Sequence, residues 1–369
     1  MKQTRVGKAW RRWLGGMAAL GMMVALGPLS GTALAQGLSW DDGLRGDAPE
    51  RYTVVRGDTL WDISGRFLRH PWRWPEVWQV NPQIRNPHLI YPGDVVYLYD
   101  CNGRPCLGLE RGQGQVRLSP QMRTIPHREA IEPIPLEAIR HFLRDHRIVD
   151  DPEDLEELAY VVGGDDRRLM SGVGDRLYAR GEVEGSGRVG FYRVGERFHD
   201  PASGELLGLE LESVGQARRE RQEEEIVVLE VTTSRQEVRN NDIVLPLEAH
   251  DLVTEYYPRA PEREVEGTIL SVPGGVQFIG RLQVVALDRG RRDGLEPGHV
   301  LLVEQRGERV HDPRTGESLS LPGEDAGMVM VFKPYEKMSY GLVMKASRSL
   351  SVGDRVHSPS PRGLGSAQR

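Results

Sequence analysis

The chain has 369 residues, with 48 Lys and Arg against 54 Asp and Glu and a formal net charge of −6. It is long enough for two or three domains, each with its own core. An acidic chain is a poor partner for polyanions, which excludes nucleic acid and unaided adhesion to anionic lipid.

Lys2, Arg5, Lys8, Arg11 and Arg12 precede an apolar run from Trp13 to Leu29, and Ala33-Leu34-Ala35 before Gln36 has the small-x-small form of a signal-peptidase site. Residues 1–35 read as a cleavable export signal peptide. Gly and Pro interrupt the apolar run and a cleavage pattern follows it, which weighs against a membrane anchor. Removing the five basic residues of this leader takes the net charge from −6 to −11. The mature chain is expected in the periplasm.

Residues 50–100 form a small first domain. Tyr52 to Val55 is a β-branched run ended by Gly57, and Thr59-Leu60-Trp61-Asp62 has the form of a capping box, so a helix begins there. Leu60, Ile63 and Phe67 share one helical face. Pro75 suits the first turn of a second helix, with Val77 and Val80 pointing inward until Asn81-Pro82 ends it. Tyr91-Pro92-Gly93-Asp94 is a turn feeding a last strand, Val95 to Leu98. The order is strand, helix, helix, strand. Four of the seven Trp fall here (Trp61, Trp72, Trp74, Trp78). Most are expected in the core, with one or two on an exposed surface where a ligand could stack as the alternative.

These motifs resemble the LysM module, which binds N-acetylglucosamine-containing glycans, chiefly peptidoglycan and chitin. The resemblance implies a shallow groove in which backbone groups bond the acetamido group of the sugar. Its walls would be Gly57, Asp58, Thr59 and Leu60 on one side and Leu89, Ile90, Tyr91 and Pro92 on the other. The stretch Arg69 to Pro75 is longer and more aromatic than in the commonest form of the family.

The only cysteines, Cys101 and Cys106, stand in Cys-Asn-Gly-Arg-Pro-Cys. In an oxidising compartment a disulfide is expected, because Asn-Gly and Arg-Pro let the chain reverse. Residues 101–135 read as a linker with this disulfide loop, broken by Ile125-Pro126 and Ile131-Glu132-Pro133-Ile134-Pro135. Leu136 to His146 has apolar residues at 136, 139, 142 and 143, which is helical spacing. His141 and His146 are expected to be solvated or capping, since a spacing of five does not share a helical face.

An internal repeat organises the rest. Gly195-Glu196-Arg197-Phe198-His199-Asp200-Pro201-Ala202-Ser203-Gly204-Glu205 returns as Gly307-Glu308-Arg309-Val310-His311-Asp312-Pro313-Arg314-Thr315-Gly316-Glu317, at an offset of 112. Gly215 and Gly327, Val231 and Val343, and Asn241-Asp242 and Gly353-Asp354 keep the same offset. Two copies of one β-rich unit follow, with a helix plus the first copy in 136–255, the second copy in 265–359, and a disordered tail in 360–369. Asp-Pro-x-Ser/Thr-Gly-Glu is expected to be a tight hairpin loop. Val161-Val162 leading to Gly172–Tyr178 is paired with Val284-Val285 leading to Gly294–Leu301. The charged run 218–225 reads as a solvated loop. The fold class is therefore α+β, a small βααβ domain followed by mostly-β duplicated domains.

The repeated His-Asp pairs are explained by turn geometry, so no metal, cofactor or small-molecule substrate is expected. Clustered zinc ligands and an unpaired Cys with a His are both missing from the sequence, and the chain reads as non-catalytic. A cell-wall hydrolase or its activator is the alternative. Over its mature length the chain resembles the type IV pilus secretin-associated (TsaP-like) proteins. The shared stretches are Phe67–Trp78, Asn86–Asp94 and Ile131–Leu136. Its second half resembles, through Arg292–Gly298, the C-terminal domain of flagellar assembly protein T. The first resemblance implies an adaptor that holds an outer-membrane secretin to peptidoglycan; the second leaves a flagellar or secretion accessory as another alternative.

Overall fold

Gly57 and Gly93 sit where the chain must turn with positive φ, just after the first strand and just before the second, and the small domain folds in the expected order. Strand β1 (Arg51–Thr53) is followed by helix α1 (Leu60–Phe67), a 3-10 turn (Pro71–Arg73), helix α2 (Trp74–Trp78) and strand β2 (Val95–Asp100). The computed structural model describes residues 43–78, 90–112, 131–165, 170–183, 187–247, 256–273, 278–305, 307 and 309–359. The leader, Val80, Asn81-Pro82 and the 360–369 tail lie outside them. All the described residues belong to one unit, Leu38–Arg369. Thr59 caps α1 by accepting from Asp62 N at 3.1 Å, and Leu60, Ile63 and Phe67 are wholly buried together.

The first correction concerns residues 101–135, read as a linker. Strand β3 (Pro105–Glu110) pairs with β2 along its whole length, from Val95 opposite Glu110 to Asp100 opposite Pro105. The reason lies in Asn102 (φ 56°) and Gly103 (φ 84°), whose two positive φ angles give the type I′ turn that matches strand twist. Cys101 and Cys106 are joined by a disulfide across this hairpin, with Cα atoms 5.8 Å apart. At the other end of the same stretch, Ile131 and Ile134 are core residues, 6% and 0% exposed.

Helix α3 (Leu136–Asp145) runs into β4 (His146–Val149), and the short helix α4 (Asp154–Glu157) precedes the first barrel. That barrel comprises β5 (Ala159–Gly164), β6 (Met170–Ser171), β7 (Arg176–Arg180), β8 (Arg188–His199), β9 (Leu206–Glu223), β10 (Ile226–Ser234), β11 (Val238–Arg239) and β12 (Ile243–Pro246). Its wall runs β10-β7-β5-β12-β8-β9, closed by β9 on β10, with β4 added beside β9 and β6 paired to β11. The second barrel comprises β13 (Glu266–Ser271), β14 (Val284–Leu287), β15 (Val300–Gln305), β16 (Arg309–His311), β17 (Ser318–Ser320), β18 (Glu324–Pro334), β19 (Ser339–Ala346) and β20 (Arg355–His357). It closes as β13-β14-β19-β18-β15-β20, with β16 and β17 forming a separate ribbon.

The two rings have one topology. Taken in chain order, β5, β7, β8, β9, β10 and β12 have the same neighbours as β13, β14, β15, β18, β19 and β20. Phe191 opposite Val244 corresponds to Val303 opposite Val356, at the offset of 112. Leu177 opposite Leu229 corresponds to Val285 opposite Gly341, so the first two strands are offset by 108. This corrects the pairing of Val161-Val162 with Val284-Val285. Val284 lies on the equivalent of β7, because the β14–β15 connection is longer and holds a 3-10 turn at Arg291–Asp293.

Alternation along the strands makes two surfaces. Val329, Val331 and Val343 face the interior of the second barrel, while Met328, Met330, Phe332, Leu342 and Met344 face outward. That outer face is covered by Ile139 of α3 and Ile148 of β4, by Phe198 and Leu207 of the first barrel, and by Trp61 and Ile134. β18 reads as a continuous apolar run because both of its faces are buried. The 218–225 run is a second correction. Arg218 to Glu223 extend β9, with Arg176–Glu220, Arg218–Glu230 and Arg180–Glu225 pairs on the exposed ribbon.

Candidate glycan-binding site

Two Gly-Asp dipeptides build the loops at one end of the small domain. Glycine takes φ of 94° at Gly57 and 96° at Gly93, a backbone that side chains with a Cβ adopt only at a cost. Each following aspartate reaches back three residues. Asp58 Oδ2 accepts from Val55 N at 2.9 Å, and Asp94 Oδ2 accepts from Tyr91 N at 3.1 Å. The loops are tied together, since Val54 N donates to Asp94 O and Gly93 N to Val54 O, both at 2.8 Å.

Asp58 also accepts from the Tyr52 hydroxyl at 2.9 Å; burial, then this bond, holds that phenol above its ordinary pKa. Asp94 is buried and takes two further donors, Arg111 Nη1 at 2.8 Å and Gly112 N at 3.0 Å. The Arg111 guanidinium lies 5.6 Å from the Tyr91 ring centre. Strand β3 thus braces the loop that carries Tyr91 and Pro92. Neither Asp94 nor Arg111 was among the expected site residues, although Gly93-Asp94 repeats the pattern of Gly57-Asp58.

Gly57 is exposed, and Asp58, Tyr91 and Pro92 are half-buried. Thr59 is buried as the helix cap, and Leu60 and Ile90 are wholly buried. Leu89 lies outside the described residues. Three main-chain bonds tie the residues flanking the two loops to residues 131–133. Leu60 N donates to Glu132 O at 3.0 Å, Trp61 N to Pro133 O at 3.2 Å, and Ile131 N to Ile90 O at 2.8 Å. Leu60 N and Trp61 N are orphan donors of the first turn of α1, satisfied by a segment some 70 residues away in the chain. Nothing local in the sequence marks that contact.

The alternative of a sugar-stacking ring is not met. Trp61, Trp74 and Trp78 are buried, and Trp72 packs half-buried against the central core. Of the two readings of His146, capping holds and solvation does not. It ends α3 at 9% exposure, stacks on Phe142 with ring centres 4.6 Å apart, and bonds Glu210 at 2.9 Å. The ring of His141 lies outside the description. The repeated His-Asp turns are alike. Gly204 N and Gly316 N donate to Asp200 O and Asp312 O at 2.8 Å, and each aspartate Oδ1 caps the two N–H groups that follow Pro201 or Pro313. Among the described residues no group of three His, Cys, Asp or Glu is placed to hold a metal.

The LysM domain family matches residues 52–98, so this segment is a LysM domain, a binding domain rather than a catalytic one. The uncharacterized protein YqbP of Bacillus subtilis (strain 168) is 43% identical over 56 residues. That similarity covers 12% of this chain and 26% of the relative's length.

Proposed function

We propose that this protein is a non-catalytic periplasmic adaptor that binds N-acetylglucosamine-containing glycan, peptidoglycan above all, through the LysM domain. The double barrel serves as the arm that engages an outer-membrane secretin of the type IV pilus. The observation that carries the glycan half of this reading is the LysM match over the segment that folds as strand, helix, helix and strand. Gly57, Asp58, Thr59 and Leu60, with Leu89, Ile90, Tyr91 and Pro92, are the proposed wall residues. The secretin half rests on the stretches Phe67–Trp78, Asn86–Asp94 and Ile131–Leu136. One weak glycan site suffices for such an adaptor, because a dense wall and a multimeric partner multiply its residence time.

Co-sedimentation of the full chain with purified sacculi tests the glycan half. Wild type is expected in the pellet and Tyr91→Ala largely in the supernatant, with no clearing of peptidoglycan in a zymogram. A cleared band, or equal pelleting of the variant, would contradict the proposed site and role. Cross-linking in envelopes with and without the pilus secretin tests the partner, and adducts that persist without the secretin would rule it out.

A further inference from the structure

The residues that bond the start of α1 on one side and Ile90 on the other carry the same chemistry as the ligand proposed for the groove between them. An N-acetyl substituent is a secondary amide, with one N–H and one C=O, and so is each peptide group of Ile131–Ile134. Ile131 supplies its N–H to Ile90 O at 2.8 Å, and Glu132 and Pro133 supply their carbonyls to Leu60 N and Trp61 N at 3.0 and 3.2 Å. Ile131 is 6% exposed within the apolar cluster of Leu60, Ile63 and Ile90, and Ile134 is wholly buried beside Trp61. Pro133 and Pro135 limit the backbone freedom that seating the segment must remove.

We infer that Ile131–Ile134 is an intramolecular occupant of the glycan groove, and that sugar binds only by displacing it. The inference rests on the glycan reading above. The occupant leads directly into α3, where Glu132 Oε2 accepts from Leu136 N at 3.1 Å and Ile139 enters the core shared with the second barrel. Displacement therefore pulls on the joint between the LysM domain and the barrels, which makes wall attachment and the posture of the arm two readouts of one equilibrium. Apparent affinity is reduced by the fraction of molecules whose groove is open, so a segment seated nine-tenths of the time weakens binding about tenfold.

The test titrates the full chain with the β-1,4-linked hexamer of N-acetylglucosamine. Calorimetry gives affinity and amide hydrogen exchange reports on the segment, for wild type, Ile131→Asp and Pro133→Gly. Both variants are expected to bind roughly tenfold tighter than wild type. In wild type, saturating sugar is expected to strip protection from the Ile131 amide. Equal affinities with Ile131 protection unchanged would overturn the inference and leave the glycan reading standing. No binding by any of the three, with barrel amides still protected, would overturn both. Should Ile131→Asp disrupt the LysM core, Pro133→Gly and the wild-type exchange data decide the matter.

Discussion

Glu210 is 13% exposed at its side chain and accepts from His146 Nδ1 at 2.9 Å and from the Tyr340 hydroxyl at 3.1 Å, joining α3, the first barrel and the second. Burial pushes its carboxyl upward, but the His146 hydrogen bond and charge, with help from Tyr340, offset that and leave it below the ordinary value of 4.5. Burial and the Glu210 charge drive the Tyr340 phenol far upward, so it remains a donor at every physiological pH. Glu210→Gln is expected to cost about 2–3 kcal/mol in urea denaturation at neutral pH, since it weakens charged hydrogen bonds in a buried site. A carboxylate with a lowered folded pKa stabilises fully above its unfolded value and ceases to do so as pH falls through its folded value. As pH falls from neutral through and below 4.5, the gap between wild type and Glu210→Gln should therefore narrow. A gap constant with pH would mean that the carboxylate charge plays no part.

At the scale of elements, one turn recurs. A residue with positive φ is followed by Asp, whose carboxylate accepts from the main-chain N–H three residues before it. Besides the two LysM loops it occurs at Gly174-Asp175, Asn241-Asp242 and Gly353-Asp354, each time just before a barrel strand. Asn241 (φ 73°) and Gly353 (φ 90°) occupy equivalent places in the two barrels. A Cβ at Gly353 would meet nothing within 4 Å, so only backbone conformation decides which residues fit. Gly353→Asn is expected to change stability by less than about 0.5 kcal/mol, because Asn tolerates the left-handed region. Gly353→Val should cost about 1–2 kcal/mol, the left-handed penalty of a side chain bearing a Cβ. Thermal unfolding of the pair checks this, and equal melting temperatures would contradict it. The disulfide acts at this scale too, closing so short a loop that its entropic contribution is only about 2 kcal/mol.

For the whole molecule, the joint between the LysM domain and the barrels is apolar. Trp61 is 3% exposed and packs with Ile134 into the cluster that contains Val284, Val300 and Met330. The Arg281–Asp62 ion pair bridges the same two bodies but is 48% and 28% exposed. Trp61→Ala is expected to cost about 3–5 kcal/mol, as for other large core aromatics. Arg281→Ala should cost less than about 1 kcal/mol. Guanidinium denaturation followed by circular dichroism separates them, and similar costs would mean that charge rather than burial holds the joint. The first barrel is clamped to the second by mixed means, with Arg292 on Glu205 at 2.7 and 3.0 Å and Lys333 Nζ donating to the His146 carbonyl at 2.8 Å.

The LysM order, the Thr59 cap, the Asp-Pro-x-x-Gly hairpins and the duplication were determined by the amino-acid sequence alone. Each depends on a φ preference, a side chain reaching backbone within three residues, or a period that survives copying. β3 was legible in Asn102-Gly103 between two apolar stretches, though the Pro and Gly around it argued for a linker. Only the tertiary structure decided that each set of six strands closes on itself, that the outer face of the second barrel is buried, and that residues 131–133 bond Leu60, Trp61 and Ile90. Those outcomes depend on which distant surface covers an apolar face or satisfies an orphan N–H. Such partners are chosen by burial across tens to hundreds of residues, and no local spacing encodes them.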